Sequence, residues 1–335
     1  MNLPKENPPS GEEEAIEKIA DLLRDKMKRE NPPPNRMQRD AHPKQHGLVK
    51  AEFIVEPDLP AELRVGVLKD ARTYPIWIRF SNQNAPPKAD HDKDIRGMAI
   101  KLMEVEGEKL LEEEKDEQTQ DFILISTDVF VTKDAAEFER LLAGLTSGML
   151  PLIWFFLTHL RVLLNLLRAN KRFGSPLEAR YWSTTPYLFG TRAVKYSAKP
   201  ASETTTPIPS NPSDDYLREA MVQHLAAREA RFDFMVQFQK DADKMPIEDP
   251  GRRWEESDSP FIKVATIKIP SQHFDSPEQL MFGDNLSFTP WHSLPEHRPL
   301  GGINRARKVV YETLSKFRHQ QNEAPRKEPT GFAPF

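Results

Sequence analysis

Near the C-terminus, Arg307-Lys308-Val309-Val310-Tyr311 sets an arginine four residues before a tyrosine. On a helix that spacing brings both side chains to one face. A guanidinium beside a phenol favours the phenolate, because an opposite charge stabilises the ionised oxygen. A phenolate is one of the few protein groups that can hold a haem iron. Arg-x-x-x-Tyr is common by chance, so the pair gains meaning only from partners elsewhere in the chain.

Candidate partners lie far upstream. Arg36-Met37-Gln38-Arg39-Asp40-Ala41-His42-Pro43 precedes the first strand-like run. Arg79-Phe80-Ser81 ends a second run, and Asp94-Ile95-Arg96-Gly97-Met98-Ala99-Ile100-Lys101 follows. Asp121 and Phe130 come next on a strand-like run, then Phe138 in a helix expected to start near Asp134. Each piece alone is ordinary. A lone histidine before a strand is usually a surface or core residue, and an arginine on a strand usually makes an ion pair.

In this order and spacing, from His42 to Tyr311, the segments resemble the catalase family. The likeness is closest to its short, single-domain haem proteins, the catalase-related peroxidases. Arg180-Tyr181-Trp182-Ser183-Thr184-Thr185-Pro186-Tyr187 and Pro295-Glu296-His297-Arg298-Pro299-Leu300-Gly301-Gly302 resemble that short branch too. The resemblance implies an α+β protein, a catalase-like closed antiparallel β-barrel with surrounding helices, holding haem b and its iron. It makes His42 the distal acid/base and Ser81 the hydroxyl that supports its imidazole. Arg39 and Arg79 would bind the haem propionates, and Phe138, with Phe130 counted beside it, would pack on the haem. Tyr311 would be the iron ligand, with Arg307 keeping it ionised.

Elementary chemistry agrees with those roles. Cleaving a peroxide O–O bond needs a base for one proton and an acid for the leaving oxygen, and one imidazole can serve as both. Planar guanidinium forks pair well with carboxylates. The cofactor carries the redox chemistry while the protein orients, charges and dries the site. The sequence departs from the family at the distal asparagine, whose position falls on Ser126 in Ile125-Ser126-Thr127-Asp128. Ser126 is therefore carried as a catalytic candidate with a shorter, single donor. Losing one such donor costs about 2.7–4 kcal/mol of transition-state stabilisation. The expected function is a haem peroxidase with weak catalase activity on hydrogen peroxide or organic hydroperoxides. One alternative is a fatty-acid hydroperoxide isomerase or lyase, like an allene oxide synthase. Others are a haem sensor or carrier without catalysis and a haem-free scaffold.

Composition narrows the field. The 335 residues contain no cysteine, which removes thiolate catalysis, iron–sulfur clusters and a cysteine-ligated haem. A net charge of −4 gives no basic excess, so nucleic acid is not an expected partner. The first residues lack an apolar core and a basic start, so the expected compartment is the cytoplasm.

The elements that must position these residues can be read in outline. Residues 11–30 form an amphipathic helix with the stripe Ile16, Ile19, Leu22 and Leu23. Residues 48–56, 63–69, 75–81, 97–105, 121–131 and 260–270 look like strands. Residues 104–118 read as an acidic loop and 199–216 as a proline-rich linker before an aromatic-rich helix, roughly 215–240. The divisions are a helical arm over 1–35, a haem-binding domain over 36–320 and an irregular tail over 321–335. The arm is the candidate for a homodimer contact. The most apolar run, 150–168, reads first as a buried helix, the sharper idea being a helix that lines a lipid site or rests peripherally on a membrane. His42 and His46 stand four apart, but Pro43 and Gly47 argue against a helical metal pair there. Asp90 to Asp94 reads as a solvated turn, and His292 and His297 as structural hydrogen-bonding residues.

Overall fold

The structure, a computed structural model, describes residues 4–332. Residues 1–3 and 333–335, the extremes of the expected arm and tail, lie outside the described residues. The strands are β1 (Lys44–Val55), β2 (Thr73–Asn82), β3 (Arg96–Met103), β4 (Thr119–Ile125), β5 (Tyr181–Trp182), β6 (Tyr187–Phe189), β7 (Arg192–Pro200), β8 (Ala230–Phe238) and β9 (Ile262–Ile269). They pair in the order β5-β4-β3-β2-β1-β9-β8-β7-β6, and β5 also pairs with β7. That second pairing closes eight strands into an antiparallel barrel, with β6 attached to β7 outside the ring. The helices are α1 (Glu12–Glu30), α2 (Ala135–Ser147), α3 (Met149–Thr158), α4 (Leu160–Ala169), α5 (Tyr216–Ala227), α6 (Pro277–Asn285) and α7 (Gly302–Gln321). The closed barrel with surrounding helices is the architecture expected from the sequence.

Strand alternation decides where chemistry can sit. On β2, Ile76, Ile78 and Phe80 point into the barrel, so Arg79 and Ser81 point out. The lumen is filled by aromatic rings. Phe53 stacks on Phe122 at 6.3 Å and meets Phe234 edge-on at 5.0 Å, and Phe122 meets Tyr196 at 5.0 Å. The lumen is packed with side chains, and the outward residues of β2–β4 face the helical layer instead.

That layer is α1, α2 and α7. Ile16, Ile19 and Leu23 of α1 pack with Ala135 of α2 and with Ala306 and Val310 of α7. Arg305 fastens α7 to α1 through Glu12 and to the 248 loop through Glu248 at 2.8 Å. The described residues beyond α7 are irregular yet anchored. Glu328 meets Lys101 of β3 at 2.6 Å, and Phe332 packs edge-on against Trp77 at 5.2 Å.

Several local expectations are corrected. Residues 63–69 contain the last residue of one 3₁₀ turn (Ala61–Leu63), a second 3₁₀ turn (Gly66–Leu68) and no strand. Gly66 there has φ +52°, and a Cβ on it would lie 2.3 Å from His297 Nε2, so this backbone folds tightly over a buried imidazole. Helix α5 ends at Ala227, and the rest of the supposed 215–240 helix is β8. Its residues Phe232, Phe234, Val236 and Phe238 alternate with Arg231, Asp233, Met235 and Gln237 and join the barrel core. Phe130 lies past the end of β4. Asp90 and Asp94 are buried: Asp90 accepts from Asn82 and Leu217, and Asp94 from Asn84 and Ile95. The 150–168 run is two helices, not one buried helix: Leu150, Trp154, Leu157, Leu160, Leu164 and Leu167 are exposed, while Phe155 and Val162 are buried.

Candidate functional site

Between the outer face of β2–β4 and the helices α1 and α7 lies a cavity of about 280 Å³. Eight of the nine sequence-derived site residues line it: Arg39, His42, Arg79, Ser81, Phe130, Phe138, Arg307 and Tyr311. They come from segments spread over 272 positions and meet only in the fold.

His42 sits just before β1 with φ +59°. A left-handed backbone at a non-glycine residue costs about 1–3 kcal/mol. Neighbouring bonds hold it there: its N–H donates to Gln83 O at 3.3 Å, and Arg79 Nη1 donates to its carbonyl at 2.9 Å. The imidazole Nδ1 lies 3.2 Å from Ser81 Oγ. Ser81 of β2 pairs with Gly97 of β3. A Cβ on Gly97 would lie 2.5 Å from His42 Nδ1 and 2.8 Å from Ser81 Oγ, so the glycine makes room for the ring. Burial, then the positive charges of Arg79, Arg307 and Arg39, push the His42 pKa down to about 3. The ring is therefore neutral near pH 7. In the tautomer whose Nδ1–H donates to Ser81, Nε2 keeps a free lone pair.

On α7, Arg307 Nε and Nη2 both donate to Tyr311 Oη at 3.3 Å. The same guanidinium reaches Thr185 Oγ1, Tyr187 Oη and Asn304 Oδ1 at 3.2–3.4 Å, with no carboxylate among its hydrogen-bond partners in the described residues. Burial works against its charge, but attraction to Tyr311 and Tyr187 raises its pKa overall. Four oxygens thus hold the guanidinium, and two of its N–H groups face the one phenol that lies on the cavity wall with it.

A cluster of three arginines lines the same cavity. Arg39, Arg79 and Arg318 gather at the C-terminal end of α6. Arg39 Nη2 donates to the carbonyls of Gly283 and Asp284 at 3.0 and 3.2 Å, and Arg318 reaches Asp284 and Leu286 carbonyls. Their nearest carboxylate, Asp284, lies 3.4 Å from Arg79 and is half exposed. Burial lowers the pKa of each guanidinium, and mutual repulsion lowers Arg39 and Arg318 further. Arg39 Nε is buried, with no hydrogen-bond partner among the described residues. Three cations, one exposed anion and an orphaned donor make a site with affinity for carboxylates.

The rest of the wall is mainly apolar, including Met98, Ile123, Ile125 and Leu314. Phe130 and Phe138 meet edge-on at 5.5 Å. A phenol held by an arginine, a cationic carboxylate site and an apolar wall together fit a flat, apolar macrocycle that carries two carboxylates and a metal.

Ser126 stands apart from the cavity wall. It is buried, and its Oγ accepts from the Arg96 backbone N–H at 2.9 Å. Among the described lining residues the amide-bearing side chain is that of Gln83, whose backbone carbonyl already braces His42. Sequence reasoning missed Gln83, Arg318, Gly97 and the α1 residues Ile19, Leu23 and Met27. Two of these carry a local signal. Gln83 lies two residues after Ser81, and Arg318 lies seven after Tyr311 on the same helical face. Two buried histidines outside the cavity, His46 and His297, hold the fold together. His46 Nε2 lies 2.6 Å from Asn82 Oδ1, and His297 bridges Val67 N–H at 3.2 Å and Tyr196 Oη at 3.0 Å.

Comparison with known proteins supports the fold. No family model and no curated protein matches the sequence. Among solved structures, a crystal structure of a fungal catalase is similar over 88% of this chain and 64% of that one, with a TM-score of 0.67 and 17% identity. The chain thus spans just under two thirds of the length of that catalase, and the likeness is one of fold.

Proposed function

We propose that the cavity binds haem b and that the protein is a haem-dependent peroxidase with weak catalase activity. The observation that carries the reading is the meeting of His42, Arg307–Tyr311 and the Arg39–Arg79–Arg318 cluster on one apolar cavity. Tyr311 would ligate the iron as phenolate, with Arg307 holding the negative charge. Arg39, Arg79 and Arg318 would hold the propionates, and Phe130 and Phe138 would pack against the macrocycle. When bound, haem supplies the two-electron reduction of a peroxide, with an external donor restoring it.

The chain's own residues would manage binding and protons. Neutral His42 accepts a peroxide proton at Nε2 and returns it to the departing oxygen, which leaves as water or an alcohol. Ser81 fixes the ring at Nδ1. Gln83, on the same cavity wall, would offer the amide that Ser126 does not provide, and hydrogen peroxide and alkyl hydroperoxides would both be substrates. The apolar wall favours the bulkier ones.

A second reading is a fatty-acid hydroperoxide isomerase or lyase, favoured by that wall and by the inward bond of Ser126. The two are separated by one experiment on protein expressed with a haem supply. The spectrum should show a Soret band. Hydrogen peroxide, cumene hydroperoxide and linoleate hydroperoxide are then compared with and without an electron donor. Donor-dependent turnover supports the peroxidase, and consumption of linoleate hydroperoxide alone supports the isomerase. Absence of a Soret band would defeat both.

A further inference from the structure

Helices α3 and α4 carry a surface that the cavity chemistry does not use. On α3, Leu150, Trp154 and Leu157 are 81%, 68% and 63% exposed, and on α4 Leu160, Leu164 and Leu167 are similarly open. The polar residue goes inward instead: Asn165 is buried, with Nδ2 donating to Gly251 O at 3.3 Å and Val131 O at 3.4 Å. Beside the buried Phe155 and Val162 the pair thus leaves a wide apolar face open, and apolar patches of this kind mark interaction sites.

We propose that the α3–α4 unit is a docking surface for an anionic lipid bilayer, entered only to the depth of the interface. The helices are bent by 104° at His159. Among the described residues no single helix is long and apolar enough to cross a membrane. Each of the two spans ten residues, about 15 Å of helix. Such a pair can lie in a headgroup layer but not run straight across a bilayer. Charge selects the occupant. Residues 141–177 contain no Asp or Glu, in a chain with 51 of them. Arg161 is neutralised by Asp249 at 2.7 Å, whereas exposed Arg168, Lys171 and Arg172 make no ion pair among the described residues. Basic residues beside an apolar, tryptophan-bearing face suit anionic headgroups. A second copy is disfavoured, because a two-fold contact would set this acid-free basic patch against itself.

The underside of the unit touches the cavity. Phe155 of α3 and Val162 of α4 pack with Val131 and Phe138, which also line the cavity wall. Docking would hold that wall at the membrane, which, resting on the peroxidase reading above, makes a membrane lipid hydroperoxide the natural substrate class.

The test uses the full-length protein with vesicles of phosphatidylcholine alone and of equimolar phosphatidylcholine and phosphatidylglycerol. Wild type should co-sediment with the anionic vesicles, and Trp154 emission should shift to the blue and be quenched by brominated acyl chains. Binding should be about tenfold weaker or more on the neutral vesicles and in the R168E/K171E variant. It should be lost in L157E/L164E, whose changes lie on exposed positions and should leave the haem spectrum intact. Equal binding by L157E/L164E, or no wild-type binding to either vesicle, overturns the proposal. So does a concentration-dependent dimer in light scattering that L157E/L164E abolishes without any vesicle binding. Vesicle binding without consumption of a vesicle-borne lipid hydroperoxide leaves the docking surface standing and removes only the substrate reading.

Discussion

The two walls of the cavity are built in different ways. The helical wall places Arg307, Tyr311 and Arg318 on one continuous helix, four and seven residues apart. The barrel wall assembles His42, Ser81 and Gly97 from a left-handed residue and two strands, joined by the pairing of Ser81 with Gly97. Helical geometry alone keeps the first set on a common face. The second set depends on strand register, on a glycine that leaves space for a ring, and on Arg79 clasping the His42 carbonyl at 2.9 Å. The helical wall is therefore tolerant of changes around it, and the barrel wall is sensitive to a single methyl group.

Substitutions can break this contrast. The largest effect is expected on the helical wall, where Tyr311→Phe should abolish phenolate ligation. Absorbance and resonance Raman spectra of the holoprotein should then lose the tyrosinate signature, and an unchanged spectrum would assign the ligand elsewhere. On the barrel wall, His42→Ala should retain haem and slow the stopped-flow peroxide reaction by about 10²–10⁴-fold. Next comes the contrast between Gln83 and Ser126. Gln83→Leu should slow the peroxide step by about 10²-fold, as loss of a donor to developing charge does. Ser126→Ala, whose hydroxyl serves the Arg96 backbone, should leave that step nearly unchanged. The opposite pattern in the same assay would restore Ser126 as the distal donor.

Smaller effects sharpen the picture. Arg318→Leu should weaken haem affinity by about 10–100-fold, the worth of a charge-assisted hydrogen bond, in transfer to apomyoglobin. It should leave the tyrosinate signature intact, since Arg307 remains. The smallest expected effect is on the pH profile. Burial and the surrounding arginines hold the His42 pKa down to about 3, so the ring stays neutral on lowering the pH and becomes protonated only as pH falls through that value. The peroxide step should then be flat between about pH 8 and about pH 5. An inflection near the ordinary histidine value of 6.5 would place the acid/base group at another residue.

Much of this was legible before the structure, but unevenly. Strands with clear alternation, such as β1 to β3, stand close to where their patterns put them, and the Arg307–Tyr311 pair needed only helical period. The 63–69 segment failed because its β-branched residues fold over His297 as 3₁₀ turns, a tertiary demand that overrides propensity. The 150–168 segment failed for the opposite reason. Its apolar content reads as burial, yet only tertiary placement shows that Asn165 joins Val162 on the inward face and that Leu160, Leu164 and Leu167 face outward. Gln83 and Arg318 were within reach of period-two and period-3.6 counting from residues already chosen.

By itself, then, the sequence determined the residue types, the barrel-forming alternation and the one-helix spacing of Arg307 and Tyr311, because these are local and periodic properties of the chain. Tertiary structure alone decided that the lumen is filled and the cavity lies outside it. It also decided that Arg318 joins Arg39 and Arg79, that Ser126 turns inward, and that α3–α4 shows its apolar face. Those outcomes depend on which distant segments meet and on which side of each element is left to meet them.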